Sequence, residues 1–175
     1  MRKIITVFVG FVALFAFVLY LHDSNGCELK EELKTVRGSS MYPLISEGDV
    51  VKALFGYYEC YEIKRGDIIL YQYTGNENLL IKSIKGVPGD SFQLQREDKR
   101  WYILVNGEIL RNSEEDPYFL HEGSEKMIAL YEENHEGVIP KGAYLLFGDN
   151  TQSALDSSRF GLVGKGDILA KVEVK

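Results

Sequence analysis

Residues 38–43 read Gly-Ser-Ser-Met-Tyr-Pro, with two adjacent serines ahead of a Met-x-Pro turn. A serine hydroxyl becomes a useful nucleophile only when a neighbouring base takes its proton. Histidine is the usual base, but His22, His121 and His135 stand far apart and unaccompanied. The other option is a lysine kept neutral by burial. Free lysine titrates at about 10.4, so near neutrality almost none of it can accept a proton. Burial among apolar groups lowers that value by several units. A drop of about 2.4 units corresponds to about 3.3 kcal/mol of differential solvation, which one well-packed lysine can bear.

The stretch Asn-Leu-Leu-Ile-Lys-Ser-Ile-Lys-Gly-Val-Pro-Gly-Asp (78–90) offers such a lysine. Read as a strand, its alternation places Leu80, Lys82 and Ile84 on one face. A lysine between aliphatic neighbours on its own face is a candidate base. The plainer reading is a side chain that lays its stem over the sheet and ends in water. Lys85 is the rival base, on the opposite face with Ile81 and Ser83. The residues alone leave both serines and both lysines open.

The elements that must position these groups read as β-structure. Short apolar runs follow Gly-Asp turns at 47–55, 65–73, 88–94 and 165–174, and 141–147 repeats the device with Ala for Asp. Such turns before β-branched residues are strand entries. Arg65-Gly66-Asp67 is one of these turns rather than an adhesion tripeptide. Asn106-Gly107, between apolar flanks in 101–110, is a hairpin signal. No segment past residue 35 shows a sustained 3.6-residue period. The expected fold is mainly β: an antiparallel sheet or barrel-like domain over 36–175 behind one N-terminal transmembrane helix. Residues 95–137 are charged and irregular and read as a variable polar elaboration, a hairpin plus long loops, within that domain.

Residues 4–21 form an apolar run without a charge. Eighteen helical residues cover about 27 Å, close to the roughly 30 Å hydrocarbon core. The run is longer than the apolar part of a cleaved leader and lacks an Ala-x-Ala site. It is therefore expected to be an uncleaved anchor in contact with membrane lipid, with 1–3 cytoplasmic and 22–35 juxtamembrane. Arg2 and Lys3 precede it and acidic residues come after, which places the body outside. Without residues 1–22 the body holds 18 Lys and Arg against 26 Asp and Glu, a net charge of −8. That balance argues against nucleic acid as a partner. A bridge between Cys27 and Cys60 is possible in an oxidising compartment, two unpaired thiols being the plainer reading. No Cys/His cluster has the spacing of a metal site.

Taken in order, these pieces resemble the type I signal peptidases, membrane-anchored serine–lysine proteases, in their single-span form. The anchor is the first point of likeness. Gly-Ser-Ser-Met-Tyr-Pro resembles the family's Gly-x-Ser-Met-x-Pro block, which implies Ser40 as nucleophile, followed by Met41. Lys-Ser-Ile-Lys-Gly-Val-Pro-Gly-Asp resembles the block whose general base lies four residues before its first glycine, implying Lys82 and not Lys85. Gly148 to Val163 resembles the Gly-Asp-Asn…Asp-Ser-Arg block that lines the site, implying support from Asp149, Ser153, Asp156 and Arg159. The likeness covers the anchor and nearly all of the body except 95–137, the stretch most variable in the family. One block alone is weak; four in order are specific.

The resemblance implies an enzyme that cuts signal peptides from exported preproteins, needs no metal or cofactor, and uses the Ser40 N–H as oxyanion donor. Gly38 stands where some relatives add a hydroxyl. Leu44 replaces a threonine, and Ser83 replaces an arginine that pairs with Asp149 in the family, so Asp149 needs another partner. Arg159 comes one residue late and Ala154 stands where a lysine-binding serine is expected; a one-residue bulge would restore Ser153 and Arg159 to their places. Two alternatives are a processing protease dedicated to pilus or conjugation subunits, and a catalytically weak β-domain that binds exported proteins. A self-cleaving repressor protease shares the chemistry but conflicts with the anchor and the charge.

Overall fold

The computed structural model describes residues 28–73, 79–152 and 154–174. The apolar run at 4–21 and Ser153 lie outside the described residues. Among the described residues, no helix is long and apolar enough to cross a membrane.

Gly48, Gly66, Gly89 and Gly142 take φ of 91°, 89°, 90° and 76°, the left-handed region that a side chain disfavours. Each hands the chain to a strand: β2 (Val50–Phe55), β3 (Ile68–Gln72), β5 (Phe92–Glu97) and β9 (Ala143–Phe147). The last Gly-Asp differs: Lys165–Asp167 makes a 3₁₀ turn before β11 (Ile168–Glu173). Together with β1 (Lys30–Thr35), β4 (Leu79–Gly86) and β10 (Val163–Gly164), four of these strands, β2, β3, β9 and β11, build a seven-stranded antiparallel sheet ordered β1-β2-β11-β3-β4-β9-β10. The stretch 22–35, read as juxtamembrane, thus supplies an edge strand. Its Lys30-Glu31-Glu32-Leu33-Lys34-Thr35 carries little apolar alternation, because among the described residues β1 pairs with β2 alone and its charges close ion pairs such as Lys34–Glu32.

The polar segment 95–137 is more ordered than its composition suggests. It contributes β6 (Arg100–Val105), β7 (Glu108–Ile109) and β8 (Phe119–His121), which join β5 in a second antiparallel sheet. Asn106 and Gly107 both take positive φ, 53° and 81°, as a two-residue turn between β6 and β7 requires. The segment also holds a helix that sequence periodicity did not show. Beside the short α1 (Tyr57–Cys60), α2 (Lys126–Asn134) runs nine residues and buries Ile128 alone. One fully buried residue in two and a half turns is too little to register as a period. The expectation of long loops is corrected accordingly.

Three apolar clusters hold the sheets. Strand alternation sends Ile69, Tyr71, Ile84 and Leu146 into one. Leu70, Val51, Ala53 and Val172 enter a second, which Met41 and Ile45 cover. Leu145 and Phe147 enter the third, against Phe92, Ile103, Tyr118 and Ile128 of the smaller sheet and its surroundings. Cys60 is disulfide-bonded, against the plainer expectation of unpaired thiols; Cys27 lies outside the described residues.

Candidate active site

Ser40 sits on a tight turn between β1 and β2. The base of this loop is closed by Val36 N–H donating to Asp49 C=O (2.8 Å) and Gly48 N–H to Val36 C=O (3.0 Å). Met41 is the apolar peg: its side chain is buried among Val51, Leu70 and Val172, which leaves Ser40 at the edge of the sheet. Tyr42 N–H donates to Ser39 C=O (3.1 Å) and Ile45 N–H to Met41 C=O (2.8 Å), tightening the turn.

Lys82 lies mid-strand in β4, opposite Ile69 of β3. It is 1% exposed and among the bulkiest of the fully buried side chains. Its Nζ donates to Ser40 Oγ at 2.8 Å and to Ile81 C=O at 2.8 Å. Desolvation holds Lys82 down at about 8, partly opposed by the charge of Asp156. Lys85 goes elsewhere: its Nζ donates to Arg111 C=O at 2.8 Å and lies over the Tyr118 ring. Burial lowers Lys85 as well, so a depressed value alone does not single out a base; contact with a serine does.

Beside the pair runs a groove of about 560 Å³, lined by Thr35, Gly38, Ser40, Leu70, Leu80 and Ile81. It exists because β4 pairs with β3 over Leu79–Ser83 but with β9 only from Ser83 onward. The Ser40 N–H has no acceptor among the described residues. Gly38 N–H is occupied by Glu47 Oε1 at 3.1 Å.

Residues 148–150 and 154–160 back the site. A Cβ on Gly148 would collide with the Ser40 carbonyl oxygen and with Ala154 Cβ. Ala154, where a lysine-binding serine was expected, therefore presents its methyl to Gly148. Gly148→Ala should displace Ser40 from Lys82 and lower the rate of peptide cleavage by about a hundredfold or more. Rates within threefold of wild type, in a variant with unchanged circular dichroism, would show that the backbone yields without cost.

Asp149, 1% exposed, finds the other partners its altered surroundings demand. Its carboxylate accepts from Leu44 N–H (3.2 Å), Ser113 N–H (3.0 Å) and Ser113 Oγ (2.5 Å). Asn150, not among the expected site residues, grips the nucleophile turn: its N–H donates to Ser40 C=O (3.1 Å) and its Nδ2 to Ser39 C=O (3.3 Å). Asp156 caps the short helix α3 (Ser157–Phe160), accepting from Ser158 N–H and Oγ and from Gly148 N–H. Burial pushes its carboxyl up, and those donors pull it back. Arg159 is exposed at the end of α3. No hydrogen bond or ion pair among the described residues joins it to Lys82 or Asp149, so the expected support from Arg159 is not seen. The late position of the arginine puts it on the solvent side of a four-residue helix.

A domain of antiparallel sheets with a buried amine against a serine hydroxyl has the makings of a hydrolase that acylates through serine. The family model described as "Signal peptidase, peptidase S26" matches residues 3–175. The chain belongs to that family and is a serine endopeptidase. It is 26% identical over 152 residues to signal peptidase IB of Staphylococcus aureus strain COL, covering 81% of this chain and 75% of the relative. Signal peptidase I of Bacillus caldolyticus is 28% identical over 148 residues, covering 80% of this chain and 76% of the relative. A crystal structure of a signal peptidase I from Enterococcus faecalis V583 aligns at a TM-score of 0.45 and 24% identity, over 63% of this chain and 97% of the other.

Proposed function

We propose that the chain is a membrane-anchored signal peptidase that cuts signal peptides from exported preproteins, with Ser40 as nucleophile and Lys82 as general base. The observation that carries the reading is the 2.8 Å contact between Ser40 Oγ and an amine removed from water. Neutral Lys82 takes the Ser40 proton while Oγ bonds to the scissile carbonyl carbon. The oxyanion forms beside the Ser40 N–H, a donor that no acceptor among the described residues occupies. As the C–N bond breaks, the lysine ammonium gives its proton to the departing amine. Lys82, neutral again, then deprotonates water, which attacks the acyl-serine; the ester bond breaks, a carboxyl-terminated peptide leaves, and Ser40 regains its proton. Asp149, Ser153, Asp156 and Arg159 were expected to support this site. The contacts of Asp149 and Asp156 favour that role for those two.

The substrate adds as an extended strand in the groove beside Leu79–Lys82, where β4 pairs with β3 on one side and, among the described residues, with no strand on the other. Family resemblance implies small residues at the first and third positions before the cut. The apolar run at 4–21 anchors the chain in the lipid with its body outside, near the membrane surface where signal peptides end, which raises the local substrate concentration. Full-length protein in detergent, mixed with a preprotein, should release the mature form, and protease added to spheroplasts should digest the body. A folded protein that releases nothing would overturn the activity; a protected C-terminal tag would overturn the topology.

A further inference from the structure

We propose that Ser113 is a positioning residue for Ser40, acting through Asp149. The proposal rests on Ser40 as the nucleophile. A carboxylate as deeply buried as Asp149 needs several donors or a counter-charge. The arginine implied by family resemblance would have come directly after Lys82, but Ser83 stands there, and no cation is bonded to Asp149 among the described residues. The donors come instead from the turn Asn112–Asp116, on the far side of the smaller sheet's hairpin. Ser113 offers both its N–H and its hydroxyl, one to each carboxylate oxygen. The remaining donor is Leu44 N–H, from the loop that carries Ser40. Asp149 therefore ties the nucleophile loop to the 112–116 turn.

The turn is itself rigid, so it makes a firm anchor. Asn112 Oδ1 accepts from Glu114 N–H (3.0 Å) and Asp116 N–H (2.9 Å), and its Nδ2 donates to Asp149 C=O at 3.2 Å. Just beyond the turn, Tyr118 Oη donates to Gly148 C=O at 2.5 Å. On the other side of Asp149, Asn150 holds the Ser39 and Ser40 carbonyls. Three consecutive residues, 148 to 150, thus carry the position of the 112–118 segment to both ends of the Ser39–Leu44 turn. Ser113 is exposed as a residue, so its loss removes a hydrogen bond without opening the core. Charge-assisted hydrogen bonds of this kind are stronger than neutral ones.

The test uses the full-length protein in detergent with one preprotein substrate, reading kcat and KM separately. Ser113→Ala should lower kcat by about ten- to a hundredfold, since small displacements of reacting groups cost that much. KM should change less than threefold, because Ser113 does not line the groove. Ser113→Thr, which keeps the hydroxyl, should recover kcat to within about threefold of wild type. Asp149→Asn should resemble Ser113→Ala, and the double variant should be no worse than Asp149→Asn alone, as expected of groups acting in series. The pH at which activity rises should not move, since Ser113 does not touch Lys82. Any of three results overturns the proposal: Ser113→Ala within twofold of wild type, Thr no better than Ala, or single-variant losses that multiply in the double variant. A dead Ser40→Ala beside an unimpaired Ser113→Ala defeats this proposal alone. An active Ser40→Ala defeats the nucleophile assignment and this proposal with it.

Discussion

Ser40→Ala should abolish cleavage of a preprotein, a loss on the order of 10⁶-fold in kcat, while Ser39→Ala should keep the rate within a few-fold. The two hydroxyls are one residue apart and differ in everything that matters. Ser40 Oγ is 2.8 Å from Lys82 Nζ. Ser39 is exposed, and the contacts it makes are through its carbonyl, which accepts from Tyr42 N–H and Asn150 Nδ2. Alanine retains that carbonyl. Folding is not at stake in either variant, because Met41 and Ile45 fix the turn through apolar burial. The measurement is single-turnover release of mature protein by each variant. A dead Ser39→Ala beside an active Ser40→Ala would put the nucleophile one residue earlier and contradict the contact with the lysine.

Activity should rise steeply from neutral to mildly alkaline pH, and Lys82 variants should remove it. As the proposed general base, Lys82 would act as the free amine. With its titration at about 8, about a tenth is neutral at pH 7 and about nine-tenths at pH 9. The rate should therefore climb about tenfold per unit below pH 7 and level off above 9. Lys82→Ala and Lys82→Arg should both be inactive, since arginine cannot deprotonate in this range. Lys85→Ala should stay within a few-fold, its amine being spent on Arg111 C=O. A wild-type profile flat from pH 6 to 9, with chemistry shown to be rate-limiting by single turnover, would remove lysine from the proton transfer, as would an active Lys82→Ala.

The same burial has a cost that stability measurements reveal. Unfolded, Lys82 titrates near 10.5; folded, at about 8. Between those values the unfolded chain binds more protons, so stability rises with pH across that window and the penalty is complete below pH 8. The difference is about 3 kcal/mol. Lys82→Met should accordingly unfold at a higher temperature than wild type at pH 7, and lack the wild-type gain between pH 8 and 10.5. A less stable Met variant at pH 7 would mean that the two hydrogen bonds of the amine outweigh its desolvation.

Local rules make much of this protein legible in its sequence. The glycine of a Gly-Asp turn takes the left-handed backbone, and the β-branched residues after it favour an extended chain. Most strand entries can therefore be placed from neighbouring residues alone. The same holds for the Asn106-Gly107 hairpin. Lys82 could be suspected because strand alternation sets it between Leu80 and Ile84, but those residues alone did not separate it from Lys85. The separation came from family spacing, and the tertiary structure adds its own reason: only Lys82 points at a serine that lies 42 residues away. Helix α2 leaves no period in the sequence because it is short and buries Ile128 alone, while the residues that cluster with Ile128, among them Phe92, Tyr118 and Leu145, are scattered along the chain.

Composition could not reveal Ser113 either, since it sits in an exposed polar stretch 36 residues from the carboxylate it holds. Covalent neighbours determine turns and strands; a buried charge finds its donors only after the sheets have packed. The apolar run, the Gly-Asp turns and the order of the motifs are properties of the sequence. The fall in the titration of Lys82, the clash that keeps residue 148 a glycine, and the partners of Asp149 arise from tertiary packing. Each depends on desolvation or close approach between segments distant along the chain.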